Sequence, residues 1–212
     1  MCGIVGYVGK RQAVPVLLQG LHKLEYRGYD SSGVALLEQG RLKVVKARGR
    51  IRNMEELLQA QGPFTATCGI GHTRWATHGE PSDINAHPHV SENGRIALVH
   101  NGIIENYMEL REMLKKAGFS IRTETDSELA AHLFQLHYHG DALAALRETT
   151  RQLRGSYALA VINADAPGEL LCARRDNPLI LGVGEGEKGK AAAKEFWDAL
   201  GSLAEGFSGL TA

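Results

Sequence analysis

Four groups of residues in this 212-residue chain have the types and spacing to carry out chemistry. The first is Cys2, one position after the initiator and followed at once by the apolar run Gly3-Ile4-Val5-Gly6. If Met1 is removed, one residue holds both a thiol and a free α-amine. Such an amine has a pKa of about 7.7–8.0, so near neutral pH much of it is unprotonated and can take the thiol proton, directly or through a water. That is the logic of a nucleophile and its base held in one residue. The other reading of Cys2 is a small apolar residue that opens a buried strand.

The second group is the polar stretch His72-Thr73-Arg74-Trp75-Ala76-Thr77-His78-Gly79-Glu80-Pro81. Arg74 offers a planar cation suited to a carboxylate. Trp75 can cover a site, Thr77 and His78 bring hydrogen-bonding side chains, and Gly79 and Pro81 are hinge points for a lid. A solvated surface loop is the alternative. The third group, Asn101-Gly102, has the composition of a turn. A side-chain amide and a glycine N–H held at a strand end can also make an oxyanion hole, although the pair taken alone reads first as a turn. The fourth is Asp126 at a helix start, where it either complements the helix dipole or binds an ammonium group. A thiol with its own base, an arginine for a carboxylate, an aspartate for an ammonium and an oxyanion hole together describe a site for an α-amino acid carrying an acyl group. Glutamine fits, because its side-chain amide is that acyl group.

The elements that must position these residues follow from periodicity. Alternation predicts strands over residues 3–9, 34–37, 42–47, 68–72, 96–99, 119–122, 156–163, 169–174 and 179–183. Helical spacing predicts helices over 12–24, 54–58, 104–116, from the Thr125-x-x-Glu128 capping box to about 139, and over 141–153. Residues 73–94 lack apolar periodicity and read as a long functional loop. Antiparallel strands with amphipathic helices between them predict an α+β fold. Hydrophobic residues are 43% of the chain, enough for a sizeable core, and 24 basic residues balance 24 acidic ones, which gives no argument for nucleic acid or an anionic membrane. The three cysteines, Cys2, Cys68 and Cys172, form no CxxC pair and fit a reducing compartment. With no signal peptide and no apolar run near 18 residues, a soluble cytoplasmic protein is expected.

At this point the sequence resembles a known family. Cys2-Gly3-Ile4-Val5-Gly6, Leu24-Glu25-Tyr26-Arg27-Gly28-Tyr29-Asp30-Ser31, the 72–81 stretch, Asn85-Ala86-His87-Pro88-His89, His100-Asn101-Gly102-Ile103-Ile104-Glu105-Asn106 and Thr123-Glu124-Thr125-Asp126 occur in family order. Together they resemble the glutaminase domain of the glutamine–fructose-6-phosphate aminotransferases, which are class II glutamine amidotransferases. The resemblance implies an N-terminal nucleophile (Ntn) hydrolase-type four-layer αββα sandwich of antiparallel sheets. It implies Cys2 as nucleophile with its α-amine as base, and Asn101 and Gly102 as oxyanion donors. Arg74 would bind the carboxylate of L-glutamine and Asp126 its ammonium. Trp75, Thr77 and His78 would form the lid and pocket, His87 would support that loop, and Arg27 would order the closing site. No cofactor and no metal are implied. The product ammonia would pass to a sugar isomerase domain in hexosamine synthesis.

The resemblance covers residues 2–187. From 188 to 212 the chain departs from the family, and Phe196, Trp197, Leu200 and Leu203 predict an amphipathic helix over 191–203. The glutaminase domain is therefore expected to be C-terminally truncated, with the isomerase domain absent from this chain and supplied, if at all, in trans. Three rivals stand beside this reading. One is a glutaminase domain of another class II amidotransferase. The second is a zinc protein using His78, His87, His89 and His100, although no HExxH is present. The third is a non-catalytic domain that binds glutamine or a partner.

Overall fold

The computed structural model describes residues 2–76, 79–182 and 190–193. Two sheets lie face to face. The first has the order β1 (Gly3–Val8), β4 (Cys68–Arg74), β2 (Ser31–Glu38), β3 (Arg41–Arg48). The second has the order β5 (His89–Val90), β6 (Ile96–Ile104), β7 (Gly155–Asn163), β8 (Glu169–Arg175), β9 (Lys190–Ala193). Among the described residues, the pairings between these strands are antiparallel except that of β8 with β9, which is parallel.

Strand alternation distributes the side chains among three cores. Ala35, Leu37, Cys68 and Ile70 of the first sheet meet Ala97, Val99, Ala160, Ile162, Leu170 and Cys172 of the second. The intervening residues Val34, Leu36 and Val45 face outward, against Leu17 and Leu21 of α1 (Ala13–Leu24) and Met54 and Leu58 of α2 (Ile51–Gln61). On the other side, Leu98, Leu159, Val161 and Leu171 pack on Leu114, Leu133, Phe134 and Leu146. Those four come from α3 (Tyr107–Lys116), α4 (Asp126–His137) and α5 (Ala142–Gln152). The result is the four-layer αββα sandwich that the resemblance implies, with one parallel strand pair added.

Several local expectations change. The strand expected over 68–72 runs on to Arg74, because β1 and β2 pair with it on both sides, through Gly3↔Thr73 and Ser31↔Arg74. Arg74 thus sits at a strand end and not in a loop. The strand expected over 96–99 continues to Ile104, so Asn101-Gly102 lies in a paired strand and not in a turn, and the following helix starts at Tyr107. Residues 179–182 form no strand, nor do 119–122. Lys190–Ala193 is a strand on the edge of β8 where a helix was expected from Ala191, since pairing satisfies the backbone groups of that edge. The remainder of the expected terminal helix lies outside the described residues.

The capping box at Thr125 and Glu128 does not form. Thr125 bonds Thr123 and His89 instead, and Glu128 turns back to accept from the Arg122 N–H, the Thr123 N–H and the Thr123 hydroxyl. Burial alone would push the Glu128 carboxyl up, but these bonds and the His132 ring, 3.4 Å from Oε1, outweigh it and hold the group at about 2. A carboxyl depressed in the folded state contributes stability that is complete above its ordinary value of 4.5 and is lost as pH falls from there toward 2. Glu128→Gln is therefore expected to cost on the order of 2 kcal/mol at neutral pH. Urea midpoints measured as a function of pH should show that difference closing as pH falls from about 4.5 toward 2.

Candidate active site

Register brings Cys2 to its place. With Gly3 paired to Thr73, Cys2 at the head of β1 lies beside the end of β4. The Trp75 N–H donates to Cys2 Sγ at 3.2 Å, and the thiol donates to the Trp75 carbonyl at 3.4 Å. The main chain that grips the sulfur is itself fixed. The Asp30 N–H donates to the Arg74 carbonyl at 3.2 Å, and the Asp30 carboxylate accepts from the Ala76 N–H. Gly28 packs so closely on this segment that a Cβ there would lie 2.7 Å from the Arg74 carbonyl carbon. Burial pushes the Cys2 thiol above its ordinary pKa, partly offset by the Trp75 N–H, so the sulfur is held as a thiol that needs a base.

The second sheet supplies Asn101 and Gly102 from β6. The Asn101 Nδ2 donates to the Cys2 carbonyl at 3.3 Å, and its Oδ1 lies 2.8 Å from His72 Nε2. His72 Nε2 is also 3.1 Å from the His100 carbonyl. Burial pushes the fully buried His72 down to about 3, so the ring is neutral. Gly102 has φ +124°, and a Cβ there would come within 2.0 Å of the Ser156 carbonyl oxygen. Only glycine keeps the backbone in this conformation while β6 stays paired to β7.

A cavity of about 630 Å³ opens at these residues, and Cys2, Arg27, Arg74, Trp75, His87, Asn101, Gly102 and Asp126 all line it. Buried Arg74 donates to the carbonyls of Gly79, at 3.0 Å, and Glu80, at 3.4 Å. Asp126, the first residue of α4, accepts the Ile104 N–H at 2.9 Å through Oδ2 and the Ser127 hydroxyl at 3.2 Å through Oδ1. Those two bonds do not use all the lone pairs of the carboxylate, which lines the cavity and has His100 Nδ1 at 3.7 Å from Oδ1. The Trp75 side chain is 46% exposed and stands edge-on to Tyr29, with ring centroids 5.3 Å apart. His87 lies beneath the site with its ring stacked on His72 at 4.1 Å. Thr77 and His78 lie outside the described residues.

Sequence reasoning overlooked three participants. His72 opens the 72–81 stretch but reads as an ordinary strand residue. Asp30 sits in the 26–33 stretch, its link to Ala76 spanning 46 positions. Lys46 donates to the carbonyls of Ile84 at 3.0 Å, Ala86 at 2.8 Å and Pro88 at 3.5 Å, tying down the segment that carries His87. Burial lowers the Lys46 ammonium to about 8. A lysine alternating into a buried strand face was the available signal. Such contacts depend on strand pairing, which spacing along the chain does not reveal.

The histidine cluster is a packed one. His72 and His87 stack, His87 and His89 meet edge-on at 4.6 Å, and His89 Nε2 bonds the Thr125 hydroxyl at 3.1 Å. Among the described residues no group of three or more His, Cys, Asp or Glu is arranged to hold a metal ion. Among them, too, no helix is long and apolar enough to cross a membrane.

Comparison with known proteins adds to this geometry. The family model described as a glutamine amidotransferase domain matches residues 72–193. A curated relative from Caldanaerobacter subterraneus subsp. tengcongensis, glutamine–fructose-6-phosphate aminotransferase [isomerizing], is 52% identical over 187 residues, covering 88% of this chain and 31% of that protein. A relative of the same name from Thermus thermophilus is 56% identical over 189 residues, covering 88% and 31%. The chain thus spans about three tenths of the length of the curated relatives it matches. Among solved structures, the glutamine phosphoribosylpyrophosphate amidotransferase of B. subtilis complexed with ADP and GMP superposes with a TM-score of 0.65 at 27% identity. That match covers 77% of this chain and 35% of the other.

Proposed function

Because the chain belongs to the class II glutamine amidotransferase domain family, we propose that Cys2 hydrolyses the side-chain amide of L-glutamine through a γ-glutamyl thioester. The observation that carries this reading is the meeting of two sheets at one residue, Cys2. The backbone of Trp75 holds Cys2 Sγ from the first sheet, and the Asn101 amide reaches the Cys2 carbonyl from the second. Arg74 and Asp126 line the same cavity.

The residues act in sequence. Once Met1 is removed, the Cys2 α-amine takes the thiol proton and sulfur attacks the amide carbon. The oxygen of the tetrahedral intermediate receives hydrogen bonds from Asn101 Nδ2 and the Gly102 N–H. The C–N bond breaks, and the nitrogen leaves as ammonia with the proton that the amine returns. A water then gives a proton to the amine and attacks the thioester. Sulfur leaves, recovers its proton, and glutamate is released. Arg74 holds the substrate carboxylate, and Asp126 holds its ammonium through the lone pairs left by Ile104 and Ser127. Trp75, Thr77 and His78 close over the site, Arg27 orders it on closure and His87 supports the loop from below. Residues 2–187 are the glutaminase unit, to which β9 adds an edge strand. The ammonia serves a sugar isomerase domain in hexosamine synthesis, since relatives carrying the aminotransferase name are about three times longer.

The test is ammonia and glutamate release from L-glutamine by the Met1-processed chain. Equal release of both, with no turnover of L-asparagine, is expected. No turnover by the processed chain would overturn the reading. Asp126→Asn keeps an acceptor for the Ile104 N–H but removes the charge. It is expected to raise the KM for glutamine about thirtyfold with a small change in kcat. The preference for glutamine over its analogue without the α-amine should shrink in parallel, as competition assays would show.

A further inference from the structure

Resting on the reading of Cys2 and Asn101 above, we propose that His72 is the positioning residue that sets the Asn101 amide with its N–H edge toward the reacting carbonyl. Two neighbours decide which way that amide faces. On one side, His72 Nε2 meets two oxygens, the His100 carbonyl at 3.1 Å and Asn101 Oδ1 at 2.8 Å. A main-chain carbonyl can only accept, so Nε2 is the protonated nitrogen of the neutral ring and shares its hydrogen between the two oxygens. On the other side, Asn101 Nδ2 meets the Cys2 carbonyl at 3.3 Å, again a group that can only accept. Rotating the amide by half a turn would set NH₂ against the His72 N–H and oxygen against the Cys2 oxygen. Both contacts would become repulsive.

The remaining atoms agree with this tautomer. A neutral imidazole carries one hydrogen, so Nδ1 of His72 is bare, and it has no hydrogen-bond partner among the described residues. The ring cannot swing to use it, because His87 stacks on its face at 4.1 Å with a 30° interplanar angle, and His89 braces His87 edge-on. The second hydrogen of Asn101 Nδ2 has no partner among the described residues and is available to an oxyanion. His72 belongs to β4, adjacent to the strand that carries Cys2, and Asn101 belongs to the opposite sheet. Their bond fixes one half of the reaction centre to the other.

Three proteins separate this role from simple support of the fold: wild type, His72→Leu, which is apolar, and His72→Gln, whose amide nitrogen reaches the Nε2 position. The readouts are kcat, KM, the affinity for product glutamate and the affinity for glutamate γ-semialdehyde. Cys2 adds to the aldehyde carbonyl, forming a C–S bond as the thiol proton passes to the α-amine and the carbonyl π pair goes to oxygen, so the adduct's oxyanion needs the donors and glutamate does not. His72→Leu is expected to lower kcat and aldehyde affinity by a common factor of about 100, with KM and glutamate affinity within threefold of wild type. His72→Gln should recover to within about tenfold of wild type. Equal loss of glutamate and aldehyde affinity, or His72→Gln behaving no better than His72→Leu, would overturn the positioning role. Absence of aldehyde binding in wild type would instead overturn the glutaminase reading itself.

Discussion

Cys2→Ala lowers the initial rate of glutamine hydrolysis by at least about 10⁴-fold, the scale on which loss of a covalent nucleophile is felt. The fold should tolerate the change. The Cys2 side chain is partly buried and, among the described residues, its sulfur bonds only the backbone of Trp75, so the thermal midpoint should move by no more than about 2 °C. Loss of rate without loss of fold is what separates a nucleophile from a strand-opening apolar residue. The pH profile of the native protein carries the same signature. Burial holds the thiol above its ordinary pKa, so attack depends on a base. If that base is the α-amine, kcat/KM falls tenfold per pH unit below about 7.7–8.0, where the amine is protonated. Acetylating the amine should remove that limb together with the activity.

Asn101→Ala should lower kcat by about 10²–10³-fold and leave KM within a few-fold, because its amide is asked to bind an oxygen that becomes anionic only in the transition state. The effect on folding is small for a specific reason. The His72 N–H freed by the substitution still donates to the His100 carbonyl, so no buried donor is left unpaired. The sharper comparison is with Asp126→Asn, which acts on substrate binding. A site with these roles gives a kcat variant at Asn101 and a KM variant at Asp126, and steady-state kinetics on the two proteins would show both. If both changed KM alone, the amide would be a binding contact and not an oxyanion donor.

Much of the sandwich is legible in the chain because most of its strands and helices carry apolar periodicity. The alternation through 34–37 and 156–163 and the helical stripes of α1 and α5 report burial directly, whereas α4 is buried all round from Asp126 to Phe134. The misread boundaries fall where the strands turn polar. Thr73 and Arg74 extend β4, and His100 to Gly102 extend β6, through backbone pairing that side-chain patterns do not record. These polar strand ends are the walls of the site, so the region hardest to read as structure is the one richest in functional groups. Cys2, Arg74, Asn101, Gly102 and Asp126 could be singled out by residue type, and one cavity gathers all five. His72 and Asp30 could not, because each acts on a neighbour distant in sequence, Asn101 across the two sheets and Ala76 through the backbone.

Intact mass of the purified chain before and after treatment with a glutamine-mimicking electrophile, with Cys2→Ala alongside, tests the central claim most directly. A processed thiol nucleophile in a formed glutamine site predicts loss of Met1 and addition of one adduct to the native chain, with none on Cys2→Ala. A chain that has lost Met1 and still takes no adduct, or an adduct that persists in Cys2→Ala, would contradict the assignment of Cys2 as the nucleophile of a glutamine site.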